Sequence, residues 1–187
     1  MAQPTQRIRE HLEQVAGLRS ARTANPALAS RVAAVKRYQH DRFNRDYADL
    51  LASERFAEAA RFFLSDLYGP ADFADRDAQF ARVVPALARL LPADVMHTVA
   101  QLAELHAVSE SLDQEMARQV AEEAVDDRSY RAAWRAVDRH ADRERQLRLL
   151  ISIGTSLDRH TRTPLLPTTL RLMRGPARAA GLTQLQS

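Results

Sequence analysis

The sequence predicts an all-α fold on three observations. It has only five glycines in 187 residues, its long tracts are rich in Ala, Leu, Arg and Glu, and no Val/Ile-rich run reads as a strand. The length suits one well-buried core, so residues 1–187 are expected to form a single helical domain of about seven helices in up-and-down hairpins. Residues 163–187 form a proline-interrupted, basic segment that either packs on that bundle or is exposed.

Each element follows from local signals. Ile8, Leu12, Val15 and Leu18 place one apolar stripe on a first helix from Thr5 to about Arg19. Asn25 before Pro26 gives an N-cap and a first-turn proline to a second helix running to about Ala52. Its stripe is clean through Leu28, Val32 and Val35. It then becomes mixed through Gln39, Phe43, Asp46 and Tyr47, which predicts polar groups entering the core there. Ser53 can cap a third helix, Glu54 to Tyr68, with Phe56, Ala60, Phe63 and Leu67 inward and Gly69-Pro70 as its stop.

Phe80, Val83, Val84, Leu87, Leu90 and Leu91 keep helical phase across Pro85 in a fourth helix from Arg76, so the proline is expected to kink it without ending it. A long fifth helix opens at Asp94 and reaches about Glu123, carrying Val95, Val99, Leu102, Leu112, Met116 and Val120 inside. Asp126 and Asp127 begin a sixth helix through Tyr130 and Trp134. A seventh, Asp142 to Arg162, is expected to pack through Leu147, Leu150, Ile151, Gly154 and Leu157. A short helix near Thr168 to Arg174 follows Pro164 and Pro167.

The absence of cysteine excludes disulfides, thiolate metal ligands and a cysteine nucleophile. A polar start, MAQPTQRIREHLEQ, and no run of eighteen apolar residues predict a soluble cytoplasmic protein with no transmembrane segment. Lys36 is the only lysine among 27 basic residues, which reads as the imprint of a GC-rich gene. Residues 1–127 carry a net charge of −5 and residues 128–187 a net charge of +8. The two halves can neutralise each other within one fold, or the basic one can meet an acidic partner, nucleic acid or an anionic membrane surface.

The stretch RYQHDRFNRDYADLLASERFAEAARFFLSDLYGP, then DFADRDAQFARVVPALARLLP and LAELHAVSESLD, resembles the proteobacterial FFLEELY-motif protein family over most of the chain. Here the motif reads FFLSDLY. Asp66 keeps an acid where the family name has its second glutamate, and Ser65 loses the first, so a role that needs both carboxylates is not available. The family is functionally uncharacterised, so the resemblance implies no activity. It also implies that relatives continue past GLTQLQ, which would leave an apolar face near Leu182 and Leu185 uncovered.

Candidate site residues gather around that motif. Arg61, Asp66, Tyr68, Arg76, Asp77 and Arg82 make either an interhelical ion-pair network or a cleft whose guanidinium groups accept an anion. His106, Glu110 and Asp113, at i, i+4 and i+7, offer nitrogen and oxygen ligands on one helix face beside the buried stripe, although no Glu-x-x-His accompanies them. A satisfied, half-buried histidine is the simpler reading. His97, Gln101 and Glu104 repeat the spacing on a second face, expected to be a solvated stripe. His11, His40 or His106 could serve as an axial haem ligand. Arg171, Arg174 and Arg178, with Arg159 and Arg162, could bind an anionic polymer or membrane surface.

No nucleophile elbow, phosphate loop, dinucleotide fingerprint or H-E-x-x-H occurs, and no catalytic residue is assigned. The leading expectation is therefore a non-catalytic interaction or regulatory module with no cofactor, taking a protein partner or forming a homodimer, for which Leu166, Leu170 and Met173 offer apolar surface. The alternative is a helical metal- or haem-binding protein, possibly an oxidoreductase. The third is anion or membrane-surface binding through the C-terminal arginines.

Overall fold

Caps and apolar stripes divide the chain into eight helices among the described residues: α1 Pro4–Thr23, α2 Pro26–Asp46, α3 Ala48–Ala52, α4 Ala57–Phe62, α5 Ala74–Leu90, α6 Ala93–Gln119, α7 Asp127–Val137 and α8 His140–Thr161. The computed structural model describes residues 3–62, 74–121 and 124–161, the side chains of 59, 60, 62, 74–76 and 161 excepted. No strand occurs among the described residues, and the fold is all-α. None of the helices described is long and apolar enough to cross a membrane.

The helices belong to two compact units. The first comprises Met1–Gly17, Phe73–Ser109 and His140–Ser187, and the second comprises Leu18–Asp72 and Glu110–Arg139. In the first unit Ile8 and Leu12 of α1, Val84 of α5, and Met96, Ala100 and Ala103 of α6 form the core, with Phe80, Leu87 and Val99 packed against it. Alanines at two of the three α6 positions let the neighbouring helices approach closely. In the second unit Leu28, Val32 and Val35 of α2 meet Met116 and Ala117 of α6, Val120 just beyond it, and Tyr130 and Ala133 of α7.

The starts of α2 and α7 follow the sequence. The Asn25 side chain accepts from the Leu28 amide at 3.1 Å, and Pro26 occupies the first turn. Asp126 caps α7 reciprocally with Ser129, whose amide donates to the Asp126 carboxylate at 2.7 Å while the Asp126 amide donates to the Ser129 hydroxyl at 3.0 Å. Pro85 lies inside an α5 that continues to Leu90, as the unbroken phase predicted.

Three expectations are corrected. The second helix stops at Asp46, not Ala52, because past Phe43 its stripe has little to bury: Tyr47 stacks on Phe43 at 4.6 Å between ring centroids and is itself exposed. Phe56 precedes α4 and is 45% exposed, lying 5.0 Å beneath the Arg55 guanidinium instead of facing a core. On α8 the buried positions are Leu149, Ile153 and His160, whereas Leu147, Ile151 and Leu157 are 59%, 63% and 41% exposed. Apolar residues occur at 147, 149, 150, 151, 153 and 157, covering so much of the α8 circumference that two faces compete. The choice goes to the face whose polar groups find partners: Ser152 accepts from Gln101 at 2.9 Å, and Gln146 donates to Ser109 at 2.8 Å.

Replacing Asn25 by alanine should cost about 1 kcal/mol of unfolding free energy, and replacing it by aspartate should cost little, because only the first change orphans the Leu28 amide. Urea denaturation of the two variants checks this.

Candidate functional site

The polar groups drawn into the second unit centre on Glu110, which α6 carries one turn before Asp113 and Gln114. All three are buried. Arg22, in the last turn of α1, spans this ledge with its guanidinium: Nη1 donates to Glu110 Oε2 at 2.6 Å, Nη2 to the Glu110 carbonyl at 3.2 Å and Nε to Gln114 Oε1 at 2.9 Å. Lys36 of α2 donates to the other Glu110 oxygen. The chain's single lysine therefore lies in the most buried charge cluster among the described residues. A compact ammonium group suits a one-oxygen contact, whereas the guanidinium fork suits the three-way contact made by Arg22.

Burial alone would raise the Glu110 carboxyl. The charges and hydrogen bonds of Lys36 and Arg22 outweigh it and hold the pKa down to about 2. For Asp113 the balance reverses. Its burial outweighs the pull of Lys36 and the hydrogen bond from Gln39, and the Glu110 charge adds to the upward shift. Gln39 donates through Nε2 to Asp113 Oδ1 at 2.9 Å and to the Tyr130 hydroxyl at 3.4 Å, so polar groups enter the core where the α2 stripe becomes mixed. Gln39 Oε1 is buried without a hydrogen-bond partner among the described residues.

The first unit repeats the device with Glu104. This carboxylate accepts from Arg7 of α1 at 2.9 Å and from Arg145 of α8. It is buried, so the expected solvated stripe of His97, Gln101 and Glu104 is corrected: only His97 faces water. Nearby, the Thr98 hydroxyl lies 3.1 Å from His160 Nε2 and donates to the Asp94 carbonyl at 3.1 Å, while His160 Nδ1 is 3.8 Å from the Asp94 carboxylate. The order hydroxyl, imidazole, carboxylate matches that of a nucleophilic triad. Thr98 and His160 are both buried, however, and the group ties the start of α6 to the end of α8.

The sequence-derived candidates distribute as follows. Asp77 and His106, assigned to different sets, pair directly, with His106 Nε2 2.9 Å from Asp77 Oδ2, so α5 is tied to α6 by a half-buried contact. His106, Glu110 and Asp113 thus share no partner: the first meets Asp77, the second Arg22 and Lys36, the third Gln39. Among the described residues no group of three His, Asp or Glu side chains is placed to hold a metal ion. His40 contacts Asn44 at 3.2 Å and Asp41 at 3.5 Å. Arg61 is exposed and reaches the Leu51 carbonyl at 3.5 Å, and Arg82 is exposed and bonds back to the Ala78 carbonyl. Arg76 belongs to α5 by its backbone. Asp66, Tyr68, Arg171, Arg174 and Arg178, with most of FFLSDLYGP, lie outside the described residues.

One further feature was not visible in the sequence. Ala34, Arg37, Tyr38, Asp41 and Arg45 of α2 face residues 124–127 across an open cleft of about 800 Å³ within the second unit. Tyr38 donates to Asp127, which also accepts from Arg131 at 2.8 Å; burial and this bond raise the tyrosine pKa, and the same bond lowers that of Asp127. Asp126 is committed to its cap. Arg45 lies 3.6 Å from Asp46, and Arg37 has no ion-pair partner among the described residues.

Residues 18–187 match the family described as Domain of unknown function (DUF8198). The chain belongs to that family. Both charge clusters, except Arg7, and the whole cleft fall inside the DUF8198 region. No curated protein and no solved structure matches the chain, so the reading of the DUF8198 site rests on its own geometry.

That geometry fixes a pH dependence. Because Glu110 titrates below its ordinary value of 4.5, the stability it lends is complete above that value and is lost as pH falls toward about 2. Asp113 titrates above 3.8, so it destabilises the fold while ionised, and stability rises as it takes up its proton. Replacing Asp113 by asparagine should raise the unfolding free energy at pH 7 by about 1 kcal/mol, since a neutral amide avoids the cost of burying the charge and can still accept from Gln39. The gain should shrink on acidification before the Glu110-driven loss begins. Urea midpoints between neutral pH and about pH 3 measure both limbs.

Proposed function

We propose that this protein is a non-catalytic binding module whose second unit takes an acidic segment of a protein partner in the cleft between α2 and residues 124–127. The observation that carries this reading is an uncommitted cation in the cleft, whose lining otherwise holds Arg45 beside Asp46 and three aspartates, of which Asp41 lies 3.5 Å from His40. Its acids at the start of α7 are already engaged, Asp126 by Ser129 and Asp127 by Tyr38 and Arg131, while Arg37 stands without an ion pair among the described residues. An incoming carboxylate gains a charge-assisted bidentate contact from Arg37 without displacing an existing one. Tyr38, Ala34 and Val125 supply the apolar floor beneath it.

The buried carboxylates support the same assignment by what they are already doing. Glu104 and Glu110 are each saturated by two cations from other helices, so their chemistry is spent within the fold. Exposed guanidinium groups remain for recognition, and their contribution lies in specificity and association rate as well as affinity.

A fluorescein-labelled peptide of glutamates interrupted by one leucine, titrated with the full chain, should give saturable anisotropy. Charge reversal at Arg37 should weaken binding at least tenfold, whereas reversal at the exposed Arg9 of α1 should leave it within about twofold. Equal losses at the two positions would indicate a general charge effect and count against the cleft.

A further inference from the structure

The outward face of α7 gathers three like charges, two of which find no ion-pair partner among the described residues. Arg128, Arg131 and Arg135, at i, i+3 and i+7, share one face of the helix, opposite the buried Tyr130 and Ala133, and all three are exposed. Arg131 donates to Asp127 at 2.8 Å, whereas Arg128 and Arg135 are uncommitted among the described residues. Arg128 stands in the first turn of α7, the end of the helix dipole where a cation is disfavoured, and Arg131 and Arg135 repel each other across one turn. Each placement costs the helix stability and gains it no contact at Arg128 or Arg135. An anion lying along the stripe would offset both.

We infer that the acidic segment taken by the cleft continues out of it along this face of α7, an inference that rests on the cleft assignment above. The path is contiguous. Asp127 lines the cleft and opens α7, and Arg131 reaches it, so one guanidinium of the stripe stands at the cleft's rim. A row of rings runs the same way: Tyr38 of the cleft lies 4.6 Å from Tyr130, and Tyr130 lies 6.2 Å from Trp134, between centroids. Trp134 is 40% exposed, one turn from Arg131. The acids that border the path are held within the chain, Asp126 by Ser129, Asp127 by Tyr38 and Arg131, and Asp138 likewise, so none of them occupies Arg128 or Arg135. The stripe extends about 10 Å along α7, which an extended segment covers with about three or four residues beyond the cleft. The partner therefore presents a run of acidic residues, of which the carboxylate at Arg37 is only one.

Two peptides of glutamates interrupted by one leucine, about four and about twelve residues long, separate the cleft from the stripe. On the full chain the longer one should bind about tenfold tighter by anisotropy of a fluorescein label and, unlabelled, should change the emission of Trp134, the only tryptophan. Arg128→Gln with Arg135→Gln should bring the longer peptide down to the affinity of the shorter and leave the shorter within about twofold. Arg9→Gln with Arg89→Gln removes the same charge from exposed positions of the first unit, and should leave both peptides within about twofold. The α7 variant should also melt at an equal or higher temperature, because it relieves the first-turn cation and the like-charge pair.

Equal affinities for the two lengths would overturn the inference and leave the cleft reading intact. Equal losses in the α7 variant and the Arg9, Arg89 control would overturn it as a general charge effect. A lowered melting temperature in the α7 variant would assign the arginines to the fold, and tighter binding of a thymidylate oligomer of about twelve nucleotides than of the longer peptide would assign the stripe to nucleic acid; either overturns it. If charge reversal at Arg37 leaves both peptides unaffected, the cleft reading fails and the shared segment fails with it.

Discussion

A carboxylate withdrawn from water is tolerated in a helical core where cations are delivered to it, and α6 sets this condition in both units. Glu110 needs Arg22 and Lys36, and Glu104 needs Arg7 and Arg145. The demand fixes which residues of α1, α2 and α8 face inward, because a shift of one residue in any of those helices would swing its cation out of reach. Such pairs add little stability over an apolar replacement of similar shape, yet removing one partner is costly because the other charge remains buried. Their contribution here is to register. The alanines at 100, 103 and 117 leave the α6 surface smooth, so apolar packing alone would allow its neighbours to slide.

The two clusters differ in how tightly they are sealed. Arg22 and Lys36 are largely withdrawn from water beside Glu110, whereas Arg145 keeps about half of its side-chain exposure beside Glu104. Screening therefore weakens the Glu104 cluster more than the Glu110 cluster. Asp113 adds a second acid next to Glu110, raised by burial while Glu110 is lowered. Adjacent carboxyls pushed in opposite directions are also found in catalytic pairs. Here Arg22, Lys36 and Gln39 occupy the space around them, and the accessible surface lies elsewhere, in the α2 cleft and on the outward face of α7.

Much of the fold was legible in the sequence wherever one local signal decided the outcome. Asn25-Pro26, the acids Asp126 and Asp127 and the unbroken phase through Pro85 each mark an element by short-range chemistry. The mixed stripe at Gln39 located the polar layer of the second unit. Elsewhere the signal was ambiguous for a physical reason. The apolar residues of α8 span most of its circumference, so its inward face is decided by Ser152 and Gln146 meeting partners 51 and 37 positions away. Glu104 looks like any surface acid until Arg7 and Arg145, 97 and 41 positions distant, are brought to it. Lys36 was a further hint at the buried cluster: a lone lysine among arginines, read as gene composition, is one of the two cations that Glu110 takes.

A double-mutant cycle between Lys36 and Glu110 tests this account most directly, using Lys36→Met, Glu110→Gln and the double variant, with unfolding free energies from urea titrations. The account predicts a coupling of about 1.5–3 kcal/mol that survives 0.5 M salt, since the pair is shielded from solvent. A coupling within about 0.5 kcal/mol of zero, or one that salt removes, would contradict it and return Glu110 to the status of an ordinary surface acid.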